Sequence, residues 1–210
     1  MFDIHCHILP GVDDGARTPA ETSQMLIAAR NAGIEHIVCT PHCRFDSFNK
    51  QLIEQQFRAF SAHAAQAGIQ ATLGYEVHWK KLAELGMDKA SELRIGDSNL
   101  FLLEFSNSHL PVNWQRNVYS IQSQGLTVIV AHPERYKPVQ DNLDIAYEMK
   151  NMGCRLQLSA NFVEGGFFDK RHRTAKALLK EGLVDYIASD AHRPEHYALY
   201  SKALAEARKY

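Results

Sequence analysis

Short runs rich in branched and aromatic residues alternate with helical patterns along the whole chain, and this alternation restricts the possible folds more than any other feature of the sequence. Strands that alternate with helices form parallel sheets, in which each crossover is right-handed. The pattern therefore predicts an α/β fold with a parallel sheet. Seven strands are predicted, over residues 2–5, 34–40, 69–75, 99–104, 126–131, 154–159 and 185–188.

The predicted helices between these strands have clear start and stop signals. In the clearest one Thr18 is the N-cap, Pro19 takes the first helical position and Glu21 can complete a capping box. Glycine follows a predicted helix five times, which is typical of helix C-termini. The first helix is predicted to run from Pro19 to residues 31–33, and the others cover residues 47–67, 111–124, 142–152, 172–181 and 194–209. Seven strand–helix repeats suit a distorted (β/α)7 TIM-like barrel, with an open doubly wound sheet as the alternative.

The composition is that of an ordinary soluble domain. Of 210 residues, 45% are hydrophobic and 22% are charged, which is enough apolar surface for one core and favours a single domain over residues 1–210. A net charge of -1 offers no bulk attraction for nucleic acid or an anionic membrane. No apolar run reaches the ~20 residues of a membrane span, and no targeting segment is recognised, so we expect a cytoplasmic protein without stable membrane insertion.

Histidines and carboxylates recur where the predicted strands end. In a barrel these ends lie on one face, which is where the active site of such enzymes is found. Every predicted strand except the sixth carries at least one of these residues at or just after its end. The set comprises His5, His7, His42, Glu76, Glu104, His132, Asp190 and His192, with Asp14 shortly after the first pair.

This mixture of residues predicts a metal centre. Imidazole nitrogens and carboxylate oxygens suit zinc, manganese or iron, and a bridging carboxylate lets two or three ions lie close together. Four clustered carboxylates without cations would repel one another and take up protons. His5 and His7 are the most informative pair, because alternate residues of a strand point to the same side and can reach one ion. Six other histidines are expected to be structural: His36, His63, His78, His109, His172 and His196.

Two arginines stand beside the candidate ligands. Arg135 follows His132 by three positions, and Arg193 directly follows His192. The guanidinium fork matches two oxygens of a phosphate, so both arginines are predicted to hold an anionic substrate, with surface salt bridges as the alternative. For Asp13-Asp14-Gly15 a plain turn is the alternative to a ligand role.

Taken together, these motifs resemble one known group. They are residues 5–16 (HCHILPGVDDGA), Thr40-Pro41-His42, Gly74-Tyr75-Glu76, residues 132–136 (HPERY) and residues 189–192 (SDAH). The combination spans the chain and is similar to the polymerase-and-histidinol-phosphatase (PHP) superfamily, in particular its manganese-dependent bacterial protein-tyrosine phosphatases of capsule and exopolysaccharide systems. The resemblance implies the PHP fold, a distorted seven-stranded barrel that holds three Mn²⁺ ions, with iron, zinc or magnesium as alternatives.

The resemblance also implies how the nine residues share the ions. The first ion would take His5, His7, Glu76 and Asp190; the second Glu76, Glu104 and His132; and the third Asp14, His42 and His192. Glu76 is then the bridge. Arg135 matches the family's phosphate-holding arginine, whereas Arg193 lies closer to the last histidine than the family's second arginine does.

The implied activity is hydrolysis of phosphotyrosine by a metal-bound hydroxide. The implied partner is a phosphotyrosine protein, expected to be a tyrosine autokinase of polysaccharide synthesis. A cysteine nucleophile is excluded, because that mechanism needs an arginine six positions after the cysteine. None of Cys6, Cys39, Cys43 and Cys154 meets this condition, and we expect all four to be reduced, with Cys43 a bystander beside His42.

Several alternatives remain at the level of sequence. Histidinol phosphate or another small phosphoester is the alternative substrate, because the metal chemistry does not depend on the leaving group and loops 79–97 and 159–169 decide specificity. An amidohydrolase is disfavoured because Glu104 stands where that class usually has lysine, and a nuclease by the near-neutral charge. An inactive module that docks on a tyrosine kinase is the alternative of another class, and the complete ligand and arginine set argues against it.

Overall fold

Parallel strands form a curled sheet with helices packed around it in the computed structural model, which describes residues 1–44 and 47–210. The strands in this part of the chain are β1 (Phe2–Cys6), β2 (His36–Cys39), β3 (His42–Cys43), β4 (Gln70–Leu73), β5 (Glu76–His78), β6 (Leu100–Glu104), β7 (Thr127–Ala131), β8 (Arg155–Ser159) and β9 (Tyr186–Ala188). One sheet has the order β1-β2-β4 and the other β3-β5-β6-β7-β8-β9, and every pairing is parallel. The predicted α/β fold with a parallel sheet is confirmed.

The strand count differs from the seven predicted. The second and third predicted regions are each divided, so that β2 is followed by β3 and β4 by β5. Pro41 lies at the first break and has no N–H for the strand ladder, while its carbonyl accepts from the Glu76 N–H at 3.1 Å. After the breaks His42 pairs in register with Glu76. The divided strands thus place two predicted ligands side by side at the start of short strands.

The helices agree with the predicted pattern, and several additional ones are present. Thr18 caps the first helix, and its hydroxyl accepts from the Glu21 N–H at 3.2 Å, as predicted. The Glu21 carboxylate accepts from the Arg17 N–H instead of closing a capping box on Thr18. The helices are α1 (Pro19–Asn31), α2 (Lys50–Gln66), α3 (Trp79–Leu85), α4 (Trp114–Gln122), α5 (Lys137–Asp141), α6 (Asp144–Asn151), α7 (Lys170–Lys180) and α8 (His196–Ala207), with 3-10 helices at Met87–Leu93, Pro133–Arg135 and Ala160–Glu164. Within the described ranges, no helix has the length and apolar character needed to cross a bilayer.

The first and last strands of the curled sheet meet. The Asp190 N–H donates to the His5 carbonyl, and the His7 N–H donates to the Ala191 carbonyl, both at 2.9 Å. Below them the buried Asp3 carboxylate accepts from the Ser189 N–H at 2.9 Å and from its hydroxyl at 2.6 Å. These bonds join β1 to the end of β9.

Apolar side chains fill the inside of the curl and the space under the helices. Ile4, Val38, Leu102 and Ile129 form one buried cluster although β1 and β7 are not neighbours in the sheet, so this cluster lies inside the curl. A larger cluster lies between the strands and the helices. The four cysteines are buried and free, as expected.

Asp3→Ala is expected to lower the free energy of unfolding by about 2–3 kcal/mol, because hydrogen bonds to a charged group contribute about 1.5–3 kcal/mol and the buried Ser189 N–H would be left without an acceptor. Urea unfolding followed by circular dichroism measures this change. Asp97→Ala, at a fully exposed aspartate, is the matched control and should alter stability little. Equal stability of the two variants would contradict the role assigned to Asp3.

Candidate metal centre

All nine predicted ligands converge at the end of the sheet where β1, β6 and β7 finish. Eight of them form three groups in which the possible ligand atoms lie within 4.8 Å of one another. The groups are His5, His7 and Asp190; His42, Glu76 and Glu104; and His7, Asp14, His42 and His192. The ninth residue, His132, joins through Glu76, whose Oε1 lies 2.7 Å from His132 Nε2. The sequence therefore anticipates which residues the fold brings together.

The tightest arrangement contains His5 of β1 and His7, which directly follows that strand. His5 Nε2 and His7 Nε2 are 3.1 Å apart, and they lie 3.5 and 3.4 Å from Asp190 Oδ1. Glu76 Oε2 lies 3.5 Å from both nitrogens. Ligand atoms held about 2.1 Å from one ion in a tetrahedron lie about 3.4 Å from one another, so the spacings among His5, His7 and Asp190 fit a single divalent ion, with Glu76 beside both histidines.

Glu76 also connects this arrangement to a second one. Its Oε2 lies 2.6 Å from His42 Nδ1, and Glu104 Oε1 lies 4.0 Å from His132 Nε2. Within the described part of the chain, Glu104 Oε2 and His132 Nδ1 are buried and make no hydrogen bond. Buried polar atoms in this state are costly unless a ligand satisfies them.

The third arrangement is the most open of the three. Asp14 Oδ1 lies 3.2 Å from His42 Nε2 and 3.5 Å from His192 Nε2, and the Asp14 side chain is 60% exposed. The stacked rings of His7 and His192, with centroids 4.0 Å apart, connect this group to the first. The centre is therefore open to solvent on the Asp14 side.

The charges of the centre fit a cation. Burial and the neighbouring Glu76 carboxylate raise the pKa of Glu104 to about 8. Burial opposes a charge on Glu76, but the imidazoles of His42 and His5 keep its pKa well below the usual range. Against burial, Glu76 raises the pKa of His42 to about 10. The cluster thus holds protons near neutral pH, and metal ions bound to the same atoms would replace them.

Backbone strain is located at the same residues. Among the described residues, His132 and Asp190 are the non-glycine positions with positive φ, at 33° and 48°. Such conformations cost about 1–3 kcal/mol and persist where the surrounding structure enforces them. Position 15 requires glycine because the backbone of His7 passes close to it, and a Cβ there would lie 2.0 Å from the His7 carbonyl oxygen.

Two residues that orient the histidines were missed from the sequence. Asp13 Oδ2 lies 2.8 Å from His7 Nδ1 and accepts from the His42 N–H at 3.1 Å, although its sequence context predicts only a turn. Gln157 Oε1 lies 2.8 Å from His5 Nδ1. By holding the Nδ1 atoms, Asp13 and Gln157 leave the Nε2 atoms of His7 and His5 directed at the centre. Outer partners of metal-bound histidines act in the same way. Gln157 lies on β8, the strand without a predicted ligand, so only its position in the sheet reveals it.

The two predicted phosphate-binding arginines have different surroundings. Arg135 is largely buried and donates to the Ser159 hydroxyl at 2.8 Å and to Asp190 Oδ2. Arg193 Nη1 donates to the backbone carbonyls of Asp14, Gly15 and His192, at 3.2, 2.6 and 2.6 Å. Arg135 therefore lies at the centre itself. Arg193 instead connects the loop of Asp14 and Gly15 to the segment at His192, and its predicted role in holding an anionic substrate stays a prediction.

The remaining histidines lie outside the three groups that the described residues form. His36 contacts the Thr72 hydroxyl, His78 the Ser106 hydroxyl and His172 the Phe162 carbonyl. His196 Nδ1 accepts from the His192 N–H at 3.2 Å. These contacts are compatible with structural roles, and the structural role predicted for these histidines stays a prediction.

A curled parallel α/β sheet with convergent histidines and carboxylates at one end defines a candidate metallohydrolase. The sequence model of one family, Capsular polysaccharide synthesis, CpsB/CapC, matches residues 1–208, and the chain belongs to this family.

Named relatives agree with this assignment. Tyrosine-protein phosphatase YwqE of Bacillus subtilis is 29% identical over 91% of this chain and 77% of its own. Tyrosine-protein phosphatase CpsB of Streptococcus pneumoniae is 28% identical over 100% of this chain and 91% of its own. A solved structure from work on YwqE and CpsB as unique metal-dependent tyrosine phosphatases superposes with a TM-score of 0.88 at 26% identity, covering 100% of this chain and 86% of that chain.

Glu76→Gln is expected to weaken manganese binding more than Asp14→Asn, because Glu76 contacts four of the histidines and Asp14 only two. Loss of an outer partner costs about 10–100-fold in metal affinity, and loss of Glu76 should cost at least as much. Elemental analysis and metal titration measure the difference, with exposed Asp97→Asn as the control. Small and equal losses in both variants would show that the bridge assignment is wrong.

Proposed function

We propose that this protein is a metal-dependent protein-tyrosine phosphatase of capsule or exopolysaccharide synthesis. The observation that carries the proposal is the group of three ligand atoms from His5, His7 and Asp190, whose separations of 3.1 to 3.5 Å fit one ion, with Glu76 beside both histidines. Membership of the CpsB/CapC family and relatives named as tyrosine-protein phosphatases support the substrate class.

The nine predicted ligands are proposed to hold three ions in the arrangement that the family resemblance implies. Metal ions bound there would supply positive charge for the phosphoryl oxygens and an activated water for in-line attack. The mixed nitrogen and oxygen set suits manganese, and iron or zinc would bind the same atoms. We propose manganese because the centre includes five imidazoles, which magnesium does not favour.

The chain's own side chains have distinct tasks in this reaction. Asp13 and Gln157 fix the rings of His7 and His5 by holding their Nδ1 atoms. Arg135 neutralises Asp190 and presents a guanidinium at the centre, where it can hold the equatorial phosphoryl oxygens. Arg193 stays proposed as a second arginine of the site, with its contacts to the carbonyls of Asp14 and Gly15 setting the position of that loop.

We further propose that the substrate is a phosphotyrosine protein, namely a tyrosine autokinase, and that the protein acts in the cytoplasm. Residues 1–210 are proposed to form one PHP-type domain. The divided strands are proposed to count as seven strand–helix units of a distorted barrel, with β2 and β3 in one unit and β4 and β5 in another.

Chelation is expected to abolish hydrolysis of a phosphotyrosine peptide, and manganese should restore it better than magnesium, because magnesium prefers oxygen ligands and water. Turnover of the peptide is measured beside turnover of histidinol phosphate on the same metal-loaded sample. Full activity in metal-free protein would contradict the metal proposal. Preference for histidinol phosphate would favour the small-phosphoester alternative, and no turnover of either would favour an inactive docking module.

Arg135→Ala is expected to lower kcat for the phosphotyrosine peptide about a hundredfold, as loss of other single electrostatic donors does. Arg135→Lys should recover only part, because an ammonium lacks the second parallel hydrogen bond. A variant with all four cysteines replaced by alanine is the matched control and should keep most of its turnover. Thermal unfolding and metal content verify each variant. A folded, metal-loaded cysteine variant without activity, or full activity of Arg135→Ala, would contradict the mechanism.

A further inference from the structure

A cavity of about 500 Å³ opens beside the candidate metal centre. Part of its wall is formed by residues that are not candidate metal ligands. Its volume is in the range of about 300–1,000 Å³ that small-molecule sites occupy. We refer to it as the Arg44 groove. Six lining side chains matter here: Asp14, Arg17, His42, Arg44, Phe48 and Leu52.

Arg44 lies where the groove meets the centre. Its Nη2 donates to Asp14 Oδ2 at 2.8 Å, while Asp14 Oδ1 lies 3.2 Å from His42 Nε2. One carboxylate therefore connects the guanidinium to the most open group of candidate ligands. A guanidinium carries five N–H donors and can bond several acceptors at once, so the bond to Asp14 is compatible with a bond to a phosphoryl oxygen as well.

The opposite wall of the groove is apolar and aromatic. The half-buried Phe48 ring meets Tyr75 edge-on, with centroids 5.9 Å apart and an interplanar angle of 80°. Tyr75 directly precedes Glu76, so this contact fixes Phe48 relative to the centre. Leu52, in the first turn of α2, is an exposed apolar side chain beside it. The groove is thus lined by the Arg44 guanidinium, which contacts the candidate ligand Asp14, and by the apolar side chains of Phe48 and Leu52.

We propose that the Arg44 groove receives the phosphotyrosine side chain, with Phe48 against the aromatic ring and Arg44 donating to the phosphoryl group. The inference rests on the proposed phosphotyrosine hydrolysis and deepens it, because it assigns the preference for an aromatic phosphoester to named residues. A phosphoserine side chain has no ring to place against Phe48. Selectivity for phosphotyrosine therefore depends on the Phe48 wall, and phosphoryl affinity depends on Arg44.

The ring contact is tested by the ratio of kcat/KM for a phosphotyrosine peptide to kcat/KM for the phosphoserine peptide of the same sequence. Phe48→Ala should lower this ratio about tenfold, as loss of one aromatic contact in a partly buried site does. Phe48→Tyr keeps a ring and should restore most of the ratio. Tyr119→Ala, at an exposed ring on α4, is the control and should not alter it.

The phosphoryl contact is tested with inorganic phosphate as a competitive inhibitor of the metal-loaded protein. Arg44→Gln should raise the inhibition constant about tenfold, in keeping with a charge-assisted hydrogen bond, and Arg44→Lys should restore part of the loss. Arg116→Gln, on α4, is the matched control. Elemental analysis of the same samples shows whether Arg44→Gln retains its metal.

The possible outcomes of these experiments distinguish failure of the groove proposal from failure of the proposed phosphatase function. An active parent with an unchanged substrate ratio in Phe48→Ala would overturn the aromatic wall. Arg44→Gln could instead lose its metal, yet be inhibited by phosphate as strongly as the parent once the metal is restored. That result would assign Arg44 to holding Asp14 and would overturn its substrate role. A parent that hydrolyses neither peptide would overturn the phosphatase proposal itself, and the groove with it.

Discussion

The buried Glu76 carboxylate is the interaction on which the rest of the site depends. Its Oε2 lies between 2.6 and 3.5 Å from nitrogens of His5, His7 and His42, and its Oε1 lies 2.7 Å from His132. A carboxylate so deeply buried is costly unless charges of opposite sign surround it. The strands are divided just before Glu76 and just before its pairing partner His42, and the pairing of β3 with β5 sets Glu76 opposite His42. The irregularity of the sheet thus helps to bring four histidines around one acid.

Much of this arrangement could be predicted from the sequence, because it follows from local patterns. The Thr18 cap, the strand regions and the placement of His5 and His7 on one side of a strand depend only on spacing, and the structure has them as expected. The division of the second and third strand regions was not predicted, since a run of apolar residues looks the same with or without a break. The roles of Asp13 and Gln157 were missed for a related reason. Their partners lie on other elements, and only the folded chain shows which way each side chain points. The same limit applies to Arg193, whose neighbours in sequence indicated the centre although its Nη1 atom meets backbone carbonyls.

Stability and chemistry compete in this part of the molecule. Left-handed backbone at His132 and Asp190, crowded carboxylates, and buried atoms without hydrogen bonds all cost free energy. The contacts that compensate for this cost surround the centre. They are the Asp3–Ser189 pair, the Arg135–Asp190 pair and the apolar cluster inside the curl. This distribution is typical of functional sites, where a rigid surround enforces a local arrangement that the chain alone would not adopt.

The bonds that join β1 to the end of β9 have a consequence for the order of folding. Ser189 and His5 are 184 residues apart in sequence, yet both belong to the joint that completes the centre. Contacts between such distant segments carry a large loop-closure entropy and form late. During synthesis, the ribosome releases His5 and His7 long before Asp190 and His192 exist. The centre therefore cannot be complete on a nascent chain until nearly all of the sheet has been made, so metal capture between His5, His7 and Asp190 would belong to the last stage of maturation.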